Sequence, residues 1–250
     1  MARASVSKSQ GILIEKGPRI MNPADRNALE FALQIKEAAG RSGGAAEKGK
    51  VTVVMLAPPE SEGVLKEALA LDADQAVILS DPAFQGGDET ATAIVLARAA
   101  SRLQADLILC GEGQVGHRVA EALRMPSVSS VTGIAFDQDH LKVTVKNHDL
   151  REMVVTSGKR LEVDTESGGG NGNHPGQPSE QVSENCPIPL LASVIAGSNT
   201  PRIANALKIM KAAKKEINQS TPVDLDLSTQ ETGLAAAGMK RLRSFLPEEN

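Results

Sequence analysis

Residues 51–80 read VTVVMLAPPESEGVLKEALALDADQAVILS, and the fold turns on how that stretch divides. Val51 to Leu56 is a continuous apolar run rich in β-branched residues, as expected of a strand covered on both faces. Pro58 and Pro59 then open a helix through ESEGVLKEALAL, and a second short strand follows from Gln75 to Leu79. Further along, a helix from about Asp88 to Leu103 leads into a third strand, Ala105 to Cys110. Repeated strand–helix–strand units of this length imply parallel strands joined by right-handed crossovers. The predicted class is α/β, a doubly wound, mostly parallel, Rossmann-like sheet.

Upstream, Leu29, Ala32, Leu33 and Lys36 recur at helical spacing, and Ala28, Phe31 and Ile35 widen the stripe enough to pack against a sheet. Asn22 suits the N-cap, Pro23 the first helical position, and Asp25 the first turn, where the helix dipole favours an acid. Gly40 and RSGGAAEKGK end that helix in an exposed loop. Downstream of Pro126 the pattern changes: Leu141 to Lys146 and Arg151 to Thr156 read as an antiparallel hairpin around Asn147, His148 and Asp149. Residues 164–185 hold almost no apolar side chains, too few to offset the entropy of ordering them, and read as a disordered insertion. Structure resumes at Ile188 to Ala196, passes through the loop GSNTPR into a basic helix, Ile203 to Lys215, and weakens into a tail with a helix near Ala235 to Phe245. The expected organisation is one domain over 11–220 followed by a C-terminal arm, 221–250.

Composition narrows the function. Aromatic residues make up 2% of the chain, with no Trp or Tyr, which removes the stacking platforms that single-stranded nucleic acids and flavin rings require. With 27 basic against 31 acidic residues, there is no phosphate-backbone footprint either. No apolar run approaches the ~20 residues that a bilayer core demands, so membrane insertion is not expected. Cys110 and Cys186 lie far apart outside any CxxC, and the four histidines show no HExxH spacing; neither a disulfide framework nor a zinc site is expected. The basic start MARASVSKSQ has no apolar core of a signal peptide, so the expectation is a cytoplasmic protein, or a mitochondrial-matrix one in a eukaryote.

The stretch with the clearest chemical potential comes after the third strand: Gly111-Glu112-Gly113-Gln114-Val115-Gly116-His117, then RVAEALRMP. A Gly-rich turn between a parallel strand and a helix leaves backbone N–H groups free at the positive end of the helix dipole, which suits a phosphate. The place also fits ligand binding beyond the carboxyl ends of parallel strands. On spacing alone a tight turn explains the same residues, because neither a full GxGxxG nor a P-loop lysine is present. Cys110 reads as a small buried hydrophobe, and Lys208, Lys211, Lys214 and Lys215 as a solvated cationic face.

Four stretches in order resemble the β subunit of electron transfer flavoproteins, the FixA-like family. They are IMNPADRNALEFALQIKE (20–37), VVMLAPPESEGVLKEALALDADQAVILSD (53–81), DLILCGEGQVGHRVAEALRMPSV (106–128) and TPRIANALKIMKAAKKEI (200–217). The resemblance spans roughly 11–163 and 186–220. It implies an adenine-nucleotide-binding fold with a small antiparallel hairpin and a C-terminal arm. The implied partner is an α subunit carrying a redox-active FAD, in a heterodimer that relays electrons from dehydrogenases to a quinone reductase or another acceptor. It implies AMP, or a second FAD, in this subunit. By position, the nucleotide contacts would be Asn22, Pro23, Ala24, Asp25 and Leu56, with Gly111, Glu112, Gly113, Gln114 and Val115 as the phosphate loop and Gly116 opening the helix. The dehydrogenase-docking loop would be Ala196, Gly197, Ser198, Asn199, Thr200, Pro201 and Arg202.

The chain also departs from that family. An apolar first strand, central in the family's sheet, is expected to be missing ahead of ILIEKGPRI. The phosphate loop is shortened to Gly111-Glu112-Gly113, Ser198 stands where the family carries an apolar docking anchor, and the C-terminal arm is short. No residue has a redox-active side-chain setting, which points to a carrier subunit rather than an enzyme. The alternative is a degenerate adenine-nucleotide-binding module or scaffold with no electron-transfer role. A hydrolase or ligase on a related fold lacks the needed phosphate loop and paired carboxylates.

Overall fold

The computed structural model describes residues 3–6, 13–16, 19–41, 49–137, 140–146, 181–186 and 188–239. In chain order these form β1 (Arg3–Val6), β2 (Leu13–Lys16), α1 (Pro23–Arg41), β3 (Thr52–Leu56), α2 (Glu62–Ala70), β4 (Gln75–Leu79), α3 (Glu89–Arg102) and β5 (Leu107–Gly111). After these come α4 (Gln114–Leu123), β6 (Ser127–Asp137), β7 (His140–Lys146), β8 (Gln181–Cys186), β9 (Leu190–Val194), α5 (Ala206–Ala213), β10 (Asn218–Ser220) and α6 (Gly233–Ala236). The α/β class and the mostly parallel pairing are as expected. β3 runs parallel to β4 and β4 to β10; β5 and β6 both run parallel to β9, and β6, β7 and β8 pair antiparallel.

The sheet is divided in two. One part has the order β10-β4-β3, the other β5-β9-β6-β7-β8, while among the described residues β1 and β2 pair only with each other. Among the described residues no strand pairs with the free edges of β3 and β5. Register identifies the groups left there. Leu190 N–H donates to Asp106 C=O and Glu112 N–H to Val194 C=O, so even residues of β5 face β9. Leu107, Leu109 and Gly111 therefore face the open side. By the same reasoning Ala57 N–H donates to Leu79 C=O, which leaves Thr52, Val54 and Leu56 on the open edge of β3. Every residue of β3 and β5 is only half-buried, whereas β9 is buried throughout.

Two helices hold the halves together. On one side α1 contributes Leu29 and Leu33 to the cluster with Leu65, Leu69 and Ile78, and Ala28 and Phe31 to the cluster with Val131, Leu190 and Val194. On the other, α3 sends Val95 and Ala99 toward Val77 and Leu79, and Ala93 and Ala97 toward Val119 of α4 and Leu191. Side chains as deeply buried as Leu33, Leu65 and Leu191 each contribute about 1.5–3 kcal/mol.

Three expectations need correction. The hairpin partner of β7 is β6, with β8 on its other side, and the predicted strand 151–156 lies outside the described residues. The low-apolar stretch ends sooner than expected, since Gln181–Cys186 is a strand; residues 164–180 lie outside the described residues. The last segment is not a loose tail over its described length. Leu225 and Leu227 are buried against Leu79 and Phe84, and Met239 N–H donates to Asp88 Oδ2 at 2.8 Å. Its helix, α6, is short, and residues 240–250 lie outside the described residues.

Candidate functional site

Helix α1 starts where β5 ends. Asn22 caps it as expected: its Oδ1 accepts from Ala24 N–H at 2.9 Å and its C=O from Arg26 N–H at 2.9 Å. One turn in, Asp25 is not merely a dipole-matched acid. Its Oδ1 accepts the Gly111 N–H at 2.5 Å, across 86 positions of sequence. The approach is close enough that a Cβ on Gly111 would lie 2.8 Å from the Asp25 backbone nitrogen and 3.0 Å from Ala24 Cβ. Asn22 to Asp25 and the start of the Gly-rich loop are thus brought together at the carboxyl end of β5. Leu56 is not part of that group: it ends β3 in the other half-sheet and packs with the Val77, Leu79 and Phe84 cluster.

The amides of the loop divide into two sets. Gly111 N–H is taken by Asp25, and Glu112 N–H by Val194 C=O at 2.9 Å, so both serve the chain itself. The second set begins at Gly113, the N-cap of α4, which no side chain caps. The first-turn amides of Gln114, Val115 and Gly116 have no acceptor within their own helix, as at any helix start. Gly113 has φ 156° and ψ 172°, a region essentially restricted to glycine, and a Cβ there would meet nothing within 4 Å. The uncapped end of α4 therefore faces open space. Gly116 serves packing instead, because a Cβ would lie 2.6 Å from Cys110 Sγ. Burial pushes the Cys110 thiol up to about 12, with the Asp25 carboxylate adding to the shift, so this sulfur is an inert spacer under the loop. Val115 joins the α3–α4 cluster, and Glu112, Gln114 and His117 are exposed.

The predicted docking loop is fixed from behind. Asn27 of α1 is 3% exposed; its Nδ2 donates to Asn199 C=O and Oδ1 at 2.8 and 2.6 Å, and its Oδ1 accepts from Gly197 N–H at 2.9 Å. Asn199 Nδ2 donates back to Asn27 C=O at 2.9 Å. Glu30, 5% exposed, accepts from Arg202 N–H, Nε and Nη2 at 3.0, 2.9 and 3.1 Å, and Arg202 Nη1 reaches Glu37 at 2.7 Å. Burial pushes the Glu30 carboxyl up, but the Arg202 bonds outweigh it and leave the pKa below the ordinary value. The Ser198 hydroxyl is buried without a hydrogen-bond partner among the described residues. Ser198, Asn199 and Arg202 therefore point into the molecule. The exposed apolar surface begins at the next residue: Ile203 is 92% exposed, Leu207 70% and Met210 61%. Sequence reading missed both sets. The inward set was signalled by Asn27, Glu30, Gln34 and Glu37, a polar stripe at helical spacing on α1; the outward set lay inside a helix judged by its lysines.

Residues 10–160 match the family model described as the electron transfer flavoprotein domain. The chain belongs to that family. It is similar to the electron transfer flavoprotein subunit beta of Thermoanaerobacterium thermosaccharolyticum, 34% identical over 94% of this chain and 79% of the relative. It is 31% identical to the caffeyl-CoA reductase-Etf complex subunit CarD of Acetobacterium woodii, over 97% and 82% of the two chains. It is 29% identical to the protein FixA of Sinorhizobium fredii, over 92% and 73%. The flavoprotein resemblance and a β-subunit or FixA-type electron-transfer role are thereby established. Among the described residues no helix is long and apolar enough to cross a membrane, and no cluster of His, Cys, Asp and Glu could hold a metal.

Proposed function

We propose that this chain is the β-type half of a two-subunit electron transfer flavoprotein. It pairs with an α subunit that carries the redox-active FAD, and it holds an adenine nucleotide, AMP or FAD, as a bound group. The observation that carries the reading is the junction of Asp25, Gly111 and the uncapped start of α4. The residues present fit one anionic group. The amides of Gln114, Val115 and Gly116 suit a phosphate at the positive end of α4, and the open face of Gly113 leaves room for it. Asp25 cannot face that phosphate without repulsion. Its carboxylate closes the strand end and leaves Oδ2 to accept from a ribose hydroxyl. The chemistry of electron transfer belongs to the flavin; this chain binds, orients and docks.

Electrons would arrive from dehydrogenases at the surface around Ile203, Leu207 and Met210 and leave for a quinone reductase or another acceptor. The name of the Acetobacterium relative, a subunit of a reductase–Etf complex, supports assembly of this kind. A nucleotide-free scaffold on the same fold is the second reading, favoured by the internal engagement of the Gly111 and Glu112 amides. Calorimetry of the purified chain with AMP, ADP and FAD separates the two. Saturable binding of any one, lost in Gly113→Val, supports the nucleotide site; no heat with all three, in a chain that still captures a flavin-bearing α subunit, leaves the scaffold.

A further inference from the structure

We propose that Asn27 and Glu30 are positioning residues for docking: they clamp Gly197–Arg202 so that the apolar ridge of Ile203, Leu207 and Met210 is held ready before a partner arrives. This rests on that ridge being the surface where dehydrogenases dock, as in the proposed function. A surface loop ordinarily satisfies its backbone with water. Here the N–H of Gly197, the C=O of Asn199 and the N–H of Arg202 are bonded to two side chains of a helix 170 positions or more away. Both side chains are nearly fully buried in the middle of α1, where an apolar residue would meet no desolvation cost. The clamp ends at Arg202, and Ile203, almost wholly in water, is the next residue. On the far side of Ile203, Asn205 Oδ1 accepts from Lys208 N–H at 2.9 Å and starts α5, while Lys208 Nζ reaches Asp72 at 2.6 Å. The exposed ridge is thus fixed at both ends. A rigid apolar ridge docks without the entropy loss of ordering it, and that saving appears in the affinity for the partner.

The test uses the flavin-loaded heterodimer and the dehydrogenase that reduces its wild-type form. Asn27→Ala and Glu30→Ala are expected to quicken hydrogen exchange at the Gly197 and Arg202 amides by at least about tenfold, with β9 unchanged. The same variants should raise KM for the dehydrogenase about tenfold and leave kcat within about twofold. Arg202→Lys keeps the charge and loses the fork, so its loop should exchange fast as well. Should the α1 variants not fold, Asn199→Ala removes from the loop side the two bonds its side chain makes with Asn27, at Oδ1 and at Nδ2. Leu207→Ser is the control for docking itself. If it leaves KM unchanged, the docking role falls. If it raises KM while a clamp variant with a loosened loop does not, docking stands and the positioning proposal is overturned, as it also is if loop exchange does not quicken.

Discussion

Gly116→Ala adds one methyl group to the first turn of α4, where the surrounding atoms leave it no room. The new Cβ would lie 2.6 Å from Cys110 Sγ, near the end of β5. Overpacking a filled site costs about 1–3 kcal/mol. Alanine returns up to about 1 kcal/mol of helix propensity over glycine. The expected net loss is about 1–2 kcal/mol, or roughly 2–8 °C of thermal midpoint for a chain of this size. Cys110→Ala removes the sulfur and alone costs on the order of 1 kcal/mol. In the double variant the clash is gone and the propensity gain remains, so the two changes must be strongly non-additive, coupled by about 1–3 kcal/mol. Guanidinium titrations with unchanged slope give the four free energies of the cycle. The backbone N–H of residue 116 survives throughout, so any nucleotide affinity should be kept in the double variant. An additive cycle, or a Gly116→Ala protein as stable as wild type, would refute the claim that glycine is needed there for packing.

The same contacts set other outcomes. Hydrogen exchange should alternate along β3 and β5, fast at Val54, Leu56 and Leu109 and slow at Val53, Met55, Ile108 and Cys110; uniform protection would mean those edges are covered. Iodoacetamide at pH 8 should leave native Cys110 unmodified, because burial keeps its thiol protonated to about 12, while the unfolded chain reacts; rapid native labelling would contradict the packed sulfur. In the folded chain Glu30 lies below its ordinary pKa although burial opposes this, since Arg202 bonds outweigh it; Asp74 does so against burial through Lys36 and the Val51 N–H. A depressed carboxylate stabilises fully above its unfolded value of ~4 and ceases to as pH falls through the lower folded one. Guanidinium midpoints should hold from pH 7 to 5 and drop below about 4, less steeply in Glu30→Gln. An equal drop in that variant would remove Glu30 from the account.

The apolar runs at 51–56, 75–79 and 105–110 were legible because a parallel strand buried on both faces must be apolar throughout. The cap of α1 was legible because Asn-Pro at a helix start satisfies local geometry alone. β6 was not, for Ser127, Ser129, Ser130 and Gly133 interrupt its apolar pattern, and a register shift between Val128 and Val131 breaks the alternation. β8, reading QVSENC, pairs through its backbone and needs little apolar content to do so. Residues 225 and 227 looked like tail because two leucines in a polar stretch form no period; they are buried by α3 and β4, not by one another. The family resemblance pointed to Gly111 and Glu112 as the start of a phosphate loop. It could not show that their amides are spent on Asp25 and Val194, contacts that join residues far apart in sequence.

Helix α1 explains why the inward bonding of Asn199 and Arg202 was not read from the sequence. Asn27 to Phe31 are five consecutive buried residues, and at about 100° per residue such a run goes all the way round a helix. Amphipathic reasoning assigns the polar side of such a helix to water. Here that side meets Gly197–Arg202, whose backbone groups need hydrogen-bonding partners once water is excluded. A polar pair, Asn27 and Glu30, is therefore what a buried helix face must carry when its neighbour is a loop instead of a sheet. The same neighbour forces Asn199 and Arg202 inward to make those bonds. Once their side chains are engaged with α1 they are turned away from solvent, and the exposed apolar side chains are the next along the chain, Ile203 and Leu207. The inward turn of the loop and the outward turn of the ridge are consequences of one requirement, the hydrogen bonding of loop backbone groups where they meet the buried Asn27 and Glu30 of α1.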